Sequence, residues 1–184
     1  MAHRFLKKFT MYDLMVITMM AVLGVAIKPV VVPLAHIITG PLYIPGGVVA
    51  GGFYMLFIVL GRSLVGKPGA AFLIGLVQAF MVISLGIYGT HGAASLITYV
   101  TPALAVDLLY LILRGSVGTP TGGFLGGVVA NVTGTYVVNL TFFRLPWLPL
   151  MLGLAVAALS GGLGGLIAYR LQKQLTKFNL HSVD

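Results

Sequence analysis

The chain has 184 residues, 59% of them hydrophobic and only 8% charged, with a formal net charge of +8. A soluble domain carries roughly 25% charged residues, so this chain cannot cover a water-facing surface, and its mean hydropathy of +1.06 makes lipid the natural solvent. With no Cys and no Glu, and Asp13, Asp107 and Asp184 as the only acids, disulfides, thiolate metal sites and Cys nucleophiles are excluded.

About 20 apolar residues cross ~30 Å of hydrocarbon. Measured this way, the chain predicts an all-α integral membrane protein, a single membrane domain built as a six-helix bundle. The helices run from Met11 to Val32, Ile44 to Leu60, Ala70 to Tyr88, Ala93 to Leu113, Gly122 to Phe143 and Leu148 to Ala168. The gaps PLAHIITGPLYIPG, GRSLVGKPG, GIYGTHGA, RGSVGTPTGG and FRLPWLP are dense in Gly, Pro and polar residues, the chemistry of turns. HRFLKK precedes the first apolar run as in a signal peptide, but the run is long and lacks a small-x-small site, so it reads as a retained helix.

Charge sets the orientation. With the N-terminus inside, the inner segments hold Arg4, Lys7, Lys8, Arg62, Lys67, Arg114, Arg170, Lys173 and Lys177. Only Lys28 and Arg144 remain outside. This is the positive-inside pattern of a multi-pass plasma-membrane protein. An even helix count then puts both termini in the cytoplasm, with residues 169–184 as a basic tail extending the last helix. The same clustering of cations between apolar blocks argues against nucleic acid as a partner.

Gly47/Gly51, Gly122/Gly126, Gly123/Gly127 and Gly161/Gly165 are small-residue pairs at helical spacing. They suit close helix packing in lipid, or a sliding face for another membrane protein. Enzyme signatures are missing. There is no G-x-S-x-G and, without Glu, no H-E-x-x-H; GTPTGGFLGG lacks the phosphate-binding Lys of a P-loop. A non-catalytic chain is expected, driven by a gradient or by an ATPase subunit. Asp107 is the one acid clearly inside a span, either a satisfied buried carboxyl or a coupling group.

The outer half carries the candidate site. Asn131, Thr135 and Asn139 recur every four residues and share a helix face. They form a ligand stripe or an interhelical hydrogen-bonding face. Gln78, Tyr88 and His91 approach from the third helix and its turn, and Tyr99 from the fourth, beside Ser95, Thr98 and Thr101. Lys28 and His36 belong to the first helix end and loop, and Arg144 and Trp147 to the last outer loop. Tyr88 and Trp147 also suit an interfacial aromatic belt. Together these residues predict an aromatic, polar cavity opening outward. With Lys28, Arg144 and two His but no carboxylate, it suits an uncharged ligand, or one bearing carboxylate or phosphate, better than a cation. His91 is also the kind of group that ligates a metal centre in a flat cofactor such as haem. No resident cofactor is needed.

The chain resembles an S component of an energy-coupling factor (ECF) transporter. The resemblance rests on its size, its helix count, the loop VVVPLAHIITGPLYIPGG before a Gly-rich second helix, and GRSLVGKPGAAFLIGLVQA, which is similar to the thiamin-related YkoE-like branch. It covers Met11 to Leu113. It implies a substrate-binding subunit for a vitamin or similar micronutrient, working with a transmembrane coupling subunit and two cytoplasmic ATPases. It also implies a docking face of small residues on the first helix; here Ala21, Gly24 and Ala26 stand nearest, without the A-x-x-x-A spacing. Haem and thiamin-related compounds are the leading substrates. A stand-alone secondary carrier or channel, and a purely structural membrane partner, are the competing readings.

Overall fold

The computed structural model describes residues 8–42, 44–86, 91–113 and 115–179. Helix α1 (Met11–Ala26) opens with a capping box: the Thr10 side chain accepts from the Asp13 N–H at 3.2 Å, and Asp13 accepts from the Thr10 N–H at 2.7 Å. Pro29 has no N–H to continue the ladder, so a second helix, α2 (Lys28–Thr39), starts here with proline in its first turn. The segment from Pro33 to Thr39, expected as loop, is therefore helical, and α1 and α2 together form an apolar stretch of 29 residues.

A short 3₁₀ turn (Gly40–Leu42) leads to α3 (Gly46–Val65), which ends at Gly66 in the left-handed region, φ 70°. Helix α4 (Ala70–Leu85) follows, then α5 (Ser95–Ile112). Helix α6 (Pro120–Val138) begins on a Thr119 cap and runs into a π-helical segment, Asn139–Phe143. Helix α7 (Trp147–Asn179) has 33 residues. At 1.5 Å per residue it is about 50 Å long, so it outruns the ~30 Å of hydrocarbon. Its far end carries Arg170, Lys173 and Lys177. Among the described residues, five helical stretches are long and apolar enough to cross a membrane, and α4 is a shorter apolar helix. Large apolar side chains such as Met15, Ile37, Phe80, Leu108, Leu159 and Leu163 face outward, as lipid solvent requires.

Helices α3, α6 and α7 are locked by glycine. A Cβ on Gly127 would collide with the Gly161 carbonyl, one on Gly165 with the Gly123 carbonyl, and one on Gly164 with the Gly52 carbonyl. The pairs 123/127 and 161/165 thus pack the bundle itself. Ser160 strengthens the contact by accepting from the Gly52 N–H at 3.0 Å and donating to the Val49 carbonyl.

The two described acids are buried at the α1 start of the bundle, and both are paired. Asp13 meets Lys67. Asp107 on α5 takes the Arg62 Nε at 2.7 Å and the Phe72 N–H at 2.8 Å, which joins α3, α4 and α5. Arg62, expected in an inner loop, lies instead in the last turn of α3, 2% exposed. Arg4, Lys7 and Arg114 lie outside the described residues.

Breaking a buried pair from one side leaves an uncompensated charge, at a cost of about 3–5 kcal/mol. Arg62→Met is expected to lose stability of that order in thermal unfolding of the detergent-solubilised chain. Arg62→Met with Asp107→Leu should recover part of the loss, the Phe72 N–H still lacking its acceptor. A double variant no more stable than the single would contradict this pairing.

Candidate functional site

At the other end of the bundle the helices separate around a cavity of about 590 Å³. Its wall comes from α2 (Lys28, Val32, His36), the first half of α3 (Gly46, Gly47, Val48, Tyr54, Met55), the turn before α5 and its first turns (His91, Thr98, Tyr99), the end of α6 and the π segment after it (Gly134, Thr135, Val138, Asn139) and the start of α7 (Pro149, Leu150, Gly153). The wall is mostly apolar with a few polar groups, the usual makeup of a small-molecule site.

Lys28 dominates its electrostatics. The break at Ile27 puts Lys28 in the first turn of α2, at the wall. Its ammonium stands 3.8 Å from the centroid of the Tyr99 ring and 4.4 Å from that of Tyr54, both within cation–π range. The Tyr54 hydroxyl donates to the Gly47 carbonyl at 2.8 Å, which fixes its ring. Among the described residues, no carboxylate lines the cavity.

His91 is anchored three ways. Its N–H donates to the Ser95 hydroxyl oxygen at 2.8 Å, its Nδ1 lies 3.0 Å from the Thr98 hydroxyl, and its ring packs on Phe142 at 4.7 Å between centroids. With Nδ1 engaged by Thr98, Nε2 is the ring nitrogen left for a ligand. Burial, and secondarily the Lys28 charge, push the imidazole below its usual pKa.

Of the residues expected at the site, the cavity brings together Lys28, His36, His91, Tyr99, Thr135 and Asn139. His36 stands on helix α2 rather than in a loop. Asn139 also supports the local backbone, since its Oδ1 accepts from the Leu145 N–H at 2.9 Å and closes the turn after the π segment. Asn131 lies deeper and is 1% exposed; its amide donates to the carbonyls of Val48 at 3.0 Å and Ala157 at 2.9 Å, tying α6 to α3 and α7. The polar stripe is thus divided, with Asn131 as interhelical glue.

Gln78 is 2% exposed and packs against Gly24, away from the cavity. Arg144, left-handed at φ 46°, is exposed, and Trp147 is 74% exposed at the start of α7, where an aromatic belt would lie. Tyr88 lies outside the described residues. On the small-residue face of α1, Ala21 and Gly24 are buried against the bundle and only Ala26 is exposed. That set therefore does not form one outward surface.

Tyr54 is the main lining residue missing from the sequence expectation. Its signal was available: a phenol within an otherwise apolar, Gly-rich span needs a partner for its hydroxyl.

A solved structure titled "Crystal structure of an S-component of ECF transporter" superposes with a TM-score of 0.76 at 15% identity, over 93% of this chain and 87% of that one. At that identity the likeness speaks for the fold. A search of curated proteins finds no match. A family profile described as "ABC-type cobalt transport system, permease component" matches residues 12–133, roughly two thirds of the sequence. The chain therefore has the S-component fold, and it belongs to the family of permease components of ABC-type cobalt transport systems.

Proposed function

We propose that this protein is the substrate-binding S component of an ECF-type importer in the plasma membrane, and that it captures a small organic micronutrient in the cavity between α2, α3, α5, α6 and α7. The observation that carries the reading is the cavity itself: 590 Å³, set at one end of a membrane bundle and lined by aromatic and apolar groups with a few polar ones. The cavity mouth is on the cell exterior. Lys67, Arg170, Lys173 and Lys177 belong to the opposite end, which the positive-inside rule puts in the cytoplasm with both termini. Six spans result when α4 is counted as crossing. The chain is non-catalytic; a coupling subunit and two ATPases supply the energy, and contact with them is made by a surface other than Ala21 and Gly24.

The family description names cobalt. A bare ion is a poor fit to this cavity: among the described residues no three His or acidic side chains converge, and Lys28 repels a cation. A metal held inside an organic cofactor is a better cargo. Haem is the specific candidate, with His91 Nε2 toward the metal and Thr98 orienting the ring from Nδ1, as hydrogen-bond partners do at metal-bound imidazoles. For thiamin-related compounds, the uncharged pyrimidine portion suits the wall and the cationic thiazolium does not.

Two measurements check this. In proteoliposomes the chain alone should bind but not accumulate solute extracted from its host, and uptake should require the coupling subunit, both ATPases and ATP. Uptake by the chain alone would instead favour a secondary carrier. Titration with haem should give a Soret shift that His91→Ala abolishes; an unchanged shift in that variant excludes His91 as the ligand. The pH dependence follows from the lowered His91 pKa. Its NMR titration midpoint should fall below the ordinary 6.5, keeping the ring neutral and able to ligate at pH 7. Between the two pKa values the unfolded chain binds the extra proton, so this group makes stability rise with pH there and fall as pH drops through 6.5. A midpoint above 6.5 would contradict the buried setting.

A further inference from the structure

We propose that Lys28 is the charge filter of the cavity: it pairs with an acidic group on the ligand, and it shuts out organic cations by occupying the aromatic faces they would need. This rests on the reading of the cavity as the ligand site and names the ligand class, an apolar body bearing a carboxylate or phosphate.

The first argument is the missing counter-charge. An ammonium in an apolar wall is costly unless something compensates it. The two described acids are spent at the opposite end, Asp13 on Lys67 and Asp107 on Arg62. Among the described residues no acid lines the cavity, and Tyr54 and Tyr99 meet the Lys28 ammonium with their ring faces. A ligand oxyanion would supply the missing charge, forming a charge-assisted hydrogen bond in a setting of low polarity.

The second argument concerns what the two tyrosines would do without Lys28. Two aromatic faces converging within about 6 Å of one point make a cage for a quaternary or protonated amine. In this protein the point is taken by a side chain anchored in the first turn of α2. A cationic ligand must displace that ammonium or sit beside it, so cations are rejected by an existing charge as well as by poor fit. The Tyr54 ring is held in place from Gly47, so the cage survives removal of the amine.

The test uses four probes that share one ring: benzoate, phenyl phosphate, benzamide and benzyltrimethylammonium. Calorimetric titration of the full-length chain in detergent is expected to give an acid binding at least about tenfold tighter than benzamide, with benzyltrimethylammonium weakest. Benzoate against phenyl phosphate shows which oxyanion is preferred. Lys28→Arg should keep the acid preference. Lys28→Met should bring the acids to within about threefold of benzamide and strengthen benzyltrimethylammonium by about tenfold or more. The proposal is overturned if the wild-type chain binds the cation as well as either acid, if it binds none of the four, or if Lys28→Met keeps its acid preference. Should Lys28→Met fail to fold, the wild-type order and Lys28→Arg still decide. Copurification of the coupling subunit does not involve Lys28; if it succeeds while the acid preference fails, the S-component reading stands and the charge filter falls.

Discussion

Close approach of three helix backbones is the constraint on which the rest depends. Where α3, α6 and α7 meet, Gly52, Gly123, Gly127, Gly161, Gly164 and Gly165 leave no room for a single Cβ. In lipid there is little hydrophobic drive to join helices, so this contact and the hydrogen bonds of Ser160 and Asn131 must hold them. Further along the same helices, Gly47 and Gly153 stand at the cavity wall, and the space beside Gly153 is open. One residue type thus closes the bundle at mid-depth and hollows it at one end.

The distribution of charge follows the same division. Each described acid is committed to a basic partner at the α1 start of the bundle, where Arg62–Asp107 also fixes the first turn of α4 through the Phe72 N–H. The cavity end keeps Lys28 with the imidazoles of His36 and His91. A site so composed has a sign, and the proposed charge filter rests on it.

Much of this was legible in the sequence, for physical reasons. Apolar runs long enough to cross lipid stand out, and glycine at four-residue spacing has little other use in a membrane helix. Lys28 was visible as a cation in an apolar stretch. Depth was not legible. Asn131 and Thr135 share a helix face, yet the ~6 Å rise between them separates an interhelical bond from the cavity wall. The pairing of Arg62 with Asp107 spans 45 residues and leaves no local trace. Pro33 suggested a loop, because proline usually ends a helix; here it stands inside α2, which Pro29 opens, and His36 rides on that helix into the wall.

The central claim is that the cavity opens to the outside while the basic end faces the cytoplasm. The chain has no native cysteine, so single cysteines report location without background. Val32→Cys at the cavity wall and Lys173→Cys on the α7 extension would be exposed, in intact cells, to a maleimide that cannot cross the membrane. The account predicts labelling of Val32→Cys in intact cells and of Lys173→Cys only after permeabilisation. The reverse pattern would turn the cavity toward the cytoplasm and contradict a capture site for an external solute.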